Sequence, residues 1–398
     1  MSVEVKLTLQ LTIRFTFTLC FVSFVHHSLQ HFTYSQGGKN MGNKKIRLAL
    51  IGVGNCACSL VQGIQFYKTQ EIADEVGGLM HYNLGGYVPS DIEVVVGFDV
   101  DSKKVGKDVS QAILEKPNCA YKICDVPNLG APVLRGPVLD GAPAHLRHYY
   151  GKDYFTVDDS QQPVDVVKAL KDYQVDVILI NLPTGSHDAV RFYVDAACKA
   201  GCGVVNGIPE LIASTPENAQ KCKDAGIPIL GDDWKSQLGA TIVHRALAKL
   251  FEDRGVKIVK SYQLNYAGNT DFINLVMRGE TKHVTKHDAI ESILKKEVPI
   301  APGFAFVDNQ NDQKTAIISI EGRKFGGAPV RLNLKLDVED SPDAGGISID
   351  AIRCCKIAKE RGMSGSIDAP SSYFFKHPPK QFPDDVCEQM VEDFIAGK

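Results

Sequence analysis

The chain lacks the features that would assign it to several large classes. No run approaches the roughly 20 apolar residues that a membrane span needs, so no spanning helix is expected. Neither charge dominates: a formal net charge of -3 gives no field for capturing nucleic acid or an anionic membrane. Any phosphate-bearing ligand must therefore be met by local basic groups. No internal repeat and no long low-complexity linker divides the chain. Eleven cysteines is an odd number, and Cys56/Cys58, Cys198/Cys202 and Cys354/Cys355 lie in apolar helical patterns rather than at staple-like spacings. They read as reduced core thiols. No His, Cys and Asp spacing marks out metal ligands.

What is present describes a soluble globular chain: 398 residues, 44% hydrophobic and 23% charged, long enough for two cores. Residues 1–40 read as an extension outside that fold. Thr-Phe alternation around Arg14 to Val25 gives way to a polar stretch and a second methionine, Met41. Translated upstream sequence, a targeting segment and a disordered tail all fit that composition.

From Ile46 the character changes. Ile46–Ile51 is a short apolar strand, Gly52-Val-Gly-Asn-Cys-Ala57 a turn, and Ser59–Tyr67 helical. In such a dinucleotide fingerprint Gly52 permits the tight turn and Gly54 lets a pyrophosphate approach the backbone. Small Ala57 lets helix and strand pack closely. A second apolar strand, Ile92–Asp99, ends in a carboxylate where a ribose diol would be held, so Asp99 argues for NAD over NADP. The Gly-rich stretch from Gly77 to Pro89 is then an excursion before that strand. Further strands at Val175–Asn181, Gly203–Asn206 and Ile227–Leu230, with a helix through Ala200, predict a doubly wound parallel sheet. Asn181 and Asn206 fall at strand C-terminal ends, the edge where such sheets bind ligands.

Beyond Asp232-Asp233 the pattern predicts a helix over Ser236–Leu250, with Ser236 as its cap and the acidic pair at its start. Strands at Ile258–Ala267, Lys314–Gly322 and Val330–Val338 alternate polar and apolar faces and predict an antiparallel sheet in a second domain. Pro342–Gly346 reads as the return, followed by a helix over Ile349–Arg361, a Pro370-rich coil and a last helix near Asp384–Ile395. The expected domains are 41–230 for the cofactor, 231–340 for catalysis and assembly, and 341–398 as a return to the first sheet. The fold class is α/β, a Rossmann-type sheet with an inserted α+β domain.

Lys282 and Lys286 stand four residues apart and share a face if helical. Positive charge gathered beside a nicotinamide site would stabilise an alkoxide, an enolate or a phosphate in a pocket poor in water. Crowded lysines also depress one another's pKa, leaving one able to accept a proton. His244, His283 and His287 pair with nothing in the pattern and read as core or surface residues, whereas His377 beside Lys376 could support the site.

Taken in order, Gly52-Val-Gly-Asn-Cys-Ala, Arg135-Gly-Pro-Val-Leu-Asp-Gly141, Gly231-Asp-Asp-Trp-Lys-Ser, Gly268-Asn-Thr-Asp271 and Asp340-Ser-Pro resemble the myo-inositol-1-phosphate synthase family in its short bacterial and archaeal form. The resemblance runs from Lys44 to Gly397. It implies conversion of D-glucose 6-phosphate to 1D-myo-inositol 3-phosphate by oxidation, enolisation, intramolecular aldol closure and reduction, with bound NAD. It matches Lys282, Lys286, Lys314, Lys376 and Asp340 to the family's catalytic set. By the same resemblance Lys282 takes part in proton transfer, Lys286 and Lys314 meet phosphate or oxyanion, and Lys376 meets the C1 and C5 oxygens. Gly52, Gly54, Asn55, Cys56, Ala57, Asp99, Asn181, Asp233 and Ser236 fall on the cofactor side. Ser236, Asn269, Asp271, Lys286 and Lys314 fall on the substrate side. A homotetramer, a cytoplasmic location and a divalent cation of unidentified ligands are further expectations from the family. The competing reading is an NAD-dependent sugar or polyol dehydrogenase, which has no need of four lysines.

Overall fold

The first strand, β1 (Ile46–Ile51), is buried at every position but Arg47 and sends Leu48 and Leu50 to one face and Ala49 and Ile51 to the other, as a strand covered on both sides must. The computed structural model describes residues 44–398 except 295 and 297, and these residues form one compact unit. The expectation for residues 1–40 lies outside the described residues. β2 (Ile92–Asp99) and β3 (Val133–Arg135) follow. A small hairpin of β4 (His148–Tyr149) and β5 (Lys152–Asp153) precedes β6 (Val177–Ile180), β7 (Gly203–Asn206) and β8 (Pro228–Leu230).

The second sheet holds β9 (Lys257–Ala267), β10 (Ile300–Phe306), β11 (Gln313–Arg323) and β12 (Pro329–Glu339), after which β13 (Gly365–Ser366) rejoins the first. The first sheet has the order β13-β8-β7-β6-β1-β2-β3 and is parallel throughout. β1 sits where the chain reverses direction across the sheet, between β2 and β6. That is the switch point at which open α/β sheets leave a crevice. Helices Asn55–Phe66 and Asp340–Glu360 cover one face, and Val166–Asp172 with His187–Ala200 cover the other. The fold class is therefore a Rossmann-type sheet carrying an α+β insertion.

In the four-stranded sheet, ordered β10-β9-β11-β12, β9, β11 and β12 are antiparallel as expected. The sequence reading missed β10, which lies parallel to β9 at the edge. Its Pro302 and Gly303 read as breakers, yet an edge strand tolerates both. Helix Ala240–Asp253 and Ile290 of helix Glu280–Glu291 pack on this sheet against Ile258, Ala316, Ile318 and Ile320.

Four local expectations are corrected. The first helix begins at Asn55, so Gly54 itself is its cap. Ser236 caps nothing, because the helix begins at Ala240 after Gly239. Pro342–Gly346 lies in the opening turns of helix Asp340–Glu360 rather than in a return loop, since Pro342 falls in the first turn, where its missing N–H has no helical partner. Residues Asp368–Phe374 around Pro370 are helical for the same reason. The excursion before β2 is held by buried Arg353, which donates to the carbonyls of His81, Tyr82 and Tyr87.

Candidate active site

One pocket opens at the carboxyl ends of β1, β2 and β6 and runs to the second sheet. Of the site residues expected from the sequence, all line it except Ala57, which is fully buried beneath the turn.

On the sheet side, Gly52 holds a φ of 91°, and a Cβ there would stand 2.7 Å from the Asn181 carbonyl oxygen. Gly54 differs: a Cβ at that position would meet nothing within 4 Å. The open space lies at the start of helix Asn55–Phe66, whose first turn carries no acidic residue, so its positive end is free to face an anion. Asp99 accepts from the amides of Val53 (2.9 Å), Val100 (2.7 Å) and Asp101 (2.9 Å), which fixes its carboxylate beside the turn. Asn181 Oδ1 accepts from the Trp234 indole at 2.9 Å, while its buried Nδ2 has no partner. An orphaned amide donor, an unfilled cradle at Gly54 and a strand-end carboxylate fit a dinucleotide. Gly207 completes this wall, since a Cβ there would lie 2.0 Å from Trp234 Nε1.

Three bonds change the reading of the turn. Asn55 accepts from the Cys119 amide at 2.7 Å, so its side chain braces the protein. Burial first, and then Asp340 and Asp312, push the Cys56 thiol up to about 12, which keeps it neutral. Lys104, missed from the sequence, is buried behind the turn and donates to the Val53 carbonyl (2.8 Å) and Asn118 Oδ1 (2.9 Å).

The lysines arrive from three directions. Helix Glu280–Glu291 carries Lys282 and Lys286 on one face, β11 carries Lys314, and Lys376 follows helix Asp368–Phe374. Lys282 stands 3.5 Å from Asp271 and 3.6 Å from Asp233. Lys376 donates to Asp233 at 3.0 Å, and Lys314 pairs with Asp340. Lys286 has no carboxylate partner among the described residues, and its ammonium lies 5.0 Å from the Phe304 ring.

Electrostatics divides the four. Burial opposes charge on Lys282, but Asp271, Asp233 and Asp340 outweigh it and hold its pKa above the ordinary lysine value. Lys314 is raised in the same way: burial opposes its charge, and Asp340 with Asp343 outweighs it. Burial and then the other three lysines push Lys286 well below the ordinary value. Lys376 is lowered by burial as well, with Asp233 pulling against it.

The acidic pair is split by the fold. Asp232 faces away from the pocket, accepting from the amides of Ile212, Ala213 and Ser214 and from the side chains of Asn206 and Ser214, and burial lifts it to about 6. It anchors a loop and caps no helix, and Asn206 serves it. Asp233 faces the lysines. Burial works against its charge, but Lys376 and Lys282, with the Thr285 hydroxyl, hold it below the usual carboxylate range.

Asn269 has little left for a ligand. Its Oδ1 caps helix Thr270–Arg278 and its Nδ2 donates to Asp312 (3.0 Å) and Asp340 (3.4 Å). Asp271 accepts from Thr184 at 3.1 Å besides meeting Lys282.

Sequence reasoning missed Asp312, Asp343 and Thr285. Asp312 is buried, accepts from the Ser341 amide and hydroxyl, and is lifted to about 7 by burial and Asp340. Asp343 holds the Ser236–Gly239 turn by accepting from the Leu238 amide at 2.7 Å. The signal was adjacency: Asp312 lies two residues before Lys314, Asp343 three after Asp340, and Thr285 between the paired lysines. His244 is buried, bonds Ser261 and Gln263, and is pushed down to about 4 by burial, so it is a neutral core residue. His377 joins the sheet-side backbone by pairing with Asp232.

Fold and pocket together define a Rossmann-type α/β protein whose glycine turn opens onto a lysine and carboxylate cluster. Comparison narrows the class. Residues 239–341 match the model of a family described as myo-inositol-1-phosphate synthase. The chain is 49% identical over 366 residues to the inositol-3-phosphate synthase of Mycolicibacterium smegmatis, covering 89% of this chain and 98% of that one. It is 47% identical over 371 residues to that of Corynebacterium glutamicum, covering 89% and 99%. The crystal structure of a myo-inositol-1-phosphate synthase-related protein from Thermotoga maritima shares the fold, with a TM-score of 0.73 at 24% identity, over 88% of this chain and 98% of that one. The chain belongs to the inositol-3-phosphate synthase family and is an enzyme of that type.

Proposed function

We propose that the enzyme converts D-glucose 6-phosphate to 1D-myo-inositol 3-phosphate, the first step of inositol biosynthesis, with NAD bound along the Gly52–Ala57 turn. The observation that carries this reading is Lys286, a buried amine that has no carboxylate partner among the described residues and stands among three other lysines. A phosphate dianion would supply the missing negative charge.

Gly54, Asn181 Nδ2 and Asp99 would hold the cofactor. NAD, when bound, supplies reversible hydride transfer, so turnover needs no net reductant. The other steps fall to the protein. Lys286 and Lys314 hold the phosphate. Lys376, whose ammonium is disfavoured by burial, accepts a proton from the substrate hydroxyl. Lys282, held as an ammonium between Asp233 and Asp271, stabilises negative charge that develops on the substrate oxygen. This reading moves proton acceptance from Lys282 to Lys376. Asp340 orients Lys314, and Asn269 acts by positioning Asp340.

The carboxylates Asp233, Asp271 and Asp340 are matched to lysines, so no step is assigned to a divalent cation. Residues 41–230 serve the cofactor, 231–340 catalysis and assembly into a homotetramer, and 341–398 complete the first sheet. No helix of the described residues is long and apolar enough to cross a membrane. We place the enzyme in the cytoplasm.

The test supplies glucose 6-phosphate with substoichiometric NAD and follows phosphorus and carbon spectra. Many turnovers to an inositol monophosphate without net NADH support the cyclising reaction. Stoichiometric NADH with an open-chain or lactone product would make the enzyme a sugar dehydrogenase instead.

A further inference from the structure

Asp233 is the hinge of the lysine cluster, and its freedom is narrow. Its amide donates to the Ile208 carbonyl at 3.1 Å, its carbonyl accepts from the Lys376 amide at 2.7 Å, and its φ is 62°. With the backbone pinned, only side-chain rotation remains. One carboxylate oxygen, Oδ1, meets Lys376 at 3.0 Å and Lys282 at 3.6 Å. The other, Oδ2, accepts from the Thr285 hydroxyl at 2.6 Å.

Thr285 is fully buried between Lys282 and Lys286 on helix Glu280–Glu291. Its hydroxyl carries one proton and has two acceptors in reach, Asp233 Oδ2 and the Lys282 carbonyl at 3.3 Å. The shorter bond is to an ionised group, where a hydrogen bond is about twice as strong as between neutral partners. We propose that Thr285 is a positioning residue that orients the Asp233 carboxylate and so sets how its charge is shared between Lys376 and Lys282. By holding Oδ2 it keeps the carboxylate from turning both oxygens onto the lysines, and it withdraws charge that would otherwise bind protons to Lys376. Without the hydroxyl Lys376 holds its proton more tightly. The other groups facing this pair are Asp271, Lys282 and Lys286 with Asp340, Asp343 and Lys314, and the Thr285 hydroxyl bonds none of their side chains.

The inference rests on the proposed role of Lys376 as proton acceptor, so its test has a readout apart from turnover. In the full chain, the rate at which Lys376 is trinitrophenylated is followed against pH, with the site located by peptide mass mapping. Thr285→Val, which keeps the shape and removes the donor, should move the Lys376 labelling midpoint to higher pH by about one unit, and move the limb of the kcat/KM profile with it. Thr285→Ser should overlay the parent. Where Val does not fold, Thr285→Ala carries the same expectation. An unmoved midpoint in a folded donorless variant, or a Ser variant that behaves like Val, overturns the proposal. Should the parent fail to cyclise glucose 6-phosphate while the midpoint still shifts, the proposed function falls and the role of Thr285 stands.

Discussion

At the scale of single residues, the site separates function from stability most clearly at Lys286. Between the depressed value of the folded state and the ordinary lysine value, the unfolded chain holds one more proton at this position than the folded chain. Stability of the ligand-free enzyme therefore falls as pH drops through that window. Lys286→Met removes the burden and should raise the unfolding midpoint near pH 7 by about 1–4 °C, as read by calorimetry. The same change should lower kcat/KM on the order of 100-fold or more, because a charge that meets the phosphate is lost. Inorganic phosphate should stabilise the parent more than the Met variant, which keeps only Lys314 of the proposed pair. Asp312 runs the other way. Its carboxyl is lifted to about 7, so from the ordinary carboxylate value up to about pH 7 the folded chain holds the extra proton, and stability falls as pH rises through that range. Asp312→Asn should flatten this part of the stability curve between pH 4 and 7.

At the scale of elements, two glycines of one turn carry different requirements and their alanine variants should part company. Gly52→Ala adds a side chain where φ is 91° and the Asn181 carbonyl stands 2.7 Å away, so it should destabilise the fold by roughly 1–3 kcal/mol in denaturant titration. Gly54→Ala has open space, so the fold should hold while NAD titrated against Trp234 fluorescence binds more weakly. The turn was legible because strand, glycine spacing and helix coincide within a few residues. The paired lysines were legible as a helix face for the same local reason. β10 was not, since its pairing with β9 lies 39 residues away in register, Ile300 against Ser261, and its own composition argues against a strand. The division of Asp232 from Asp233 was equally hidden: two adjacent carboxylates look alike until the chain sends one toward the Ile212–Ser214 loop and the other toward the lysines.

At the scale of the whole molecule, β9 presents Tyr262 and Leu264 on its solvent side, both exposed, and Val259 lies nearby. If four copies assemble through this sheet, light scattering on the full chain should give four times the chain mass, and Tyr262→Glu should shift it to smaller species without loss of the unfolding transition. The sequence by itself determined the longer strands and helices other than β10, the glycine turn and the types of group in the site, because each follows from spacing within one helix or strand. Tertiary structure alone decided which lysine's charge is favoured. Lys282 and Lys286 share a helix and a chemistry, yet one is flanked by Asp233 and Asp271 and the other by lysines. Burial magnifies that difference, because a low-dielectric pocket strengthens each charge's effect on its neighbours.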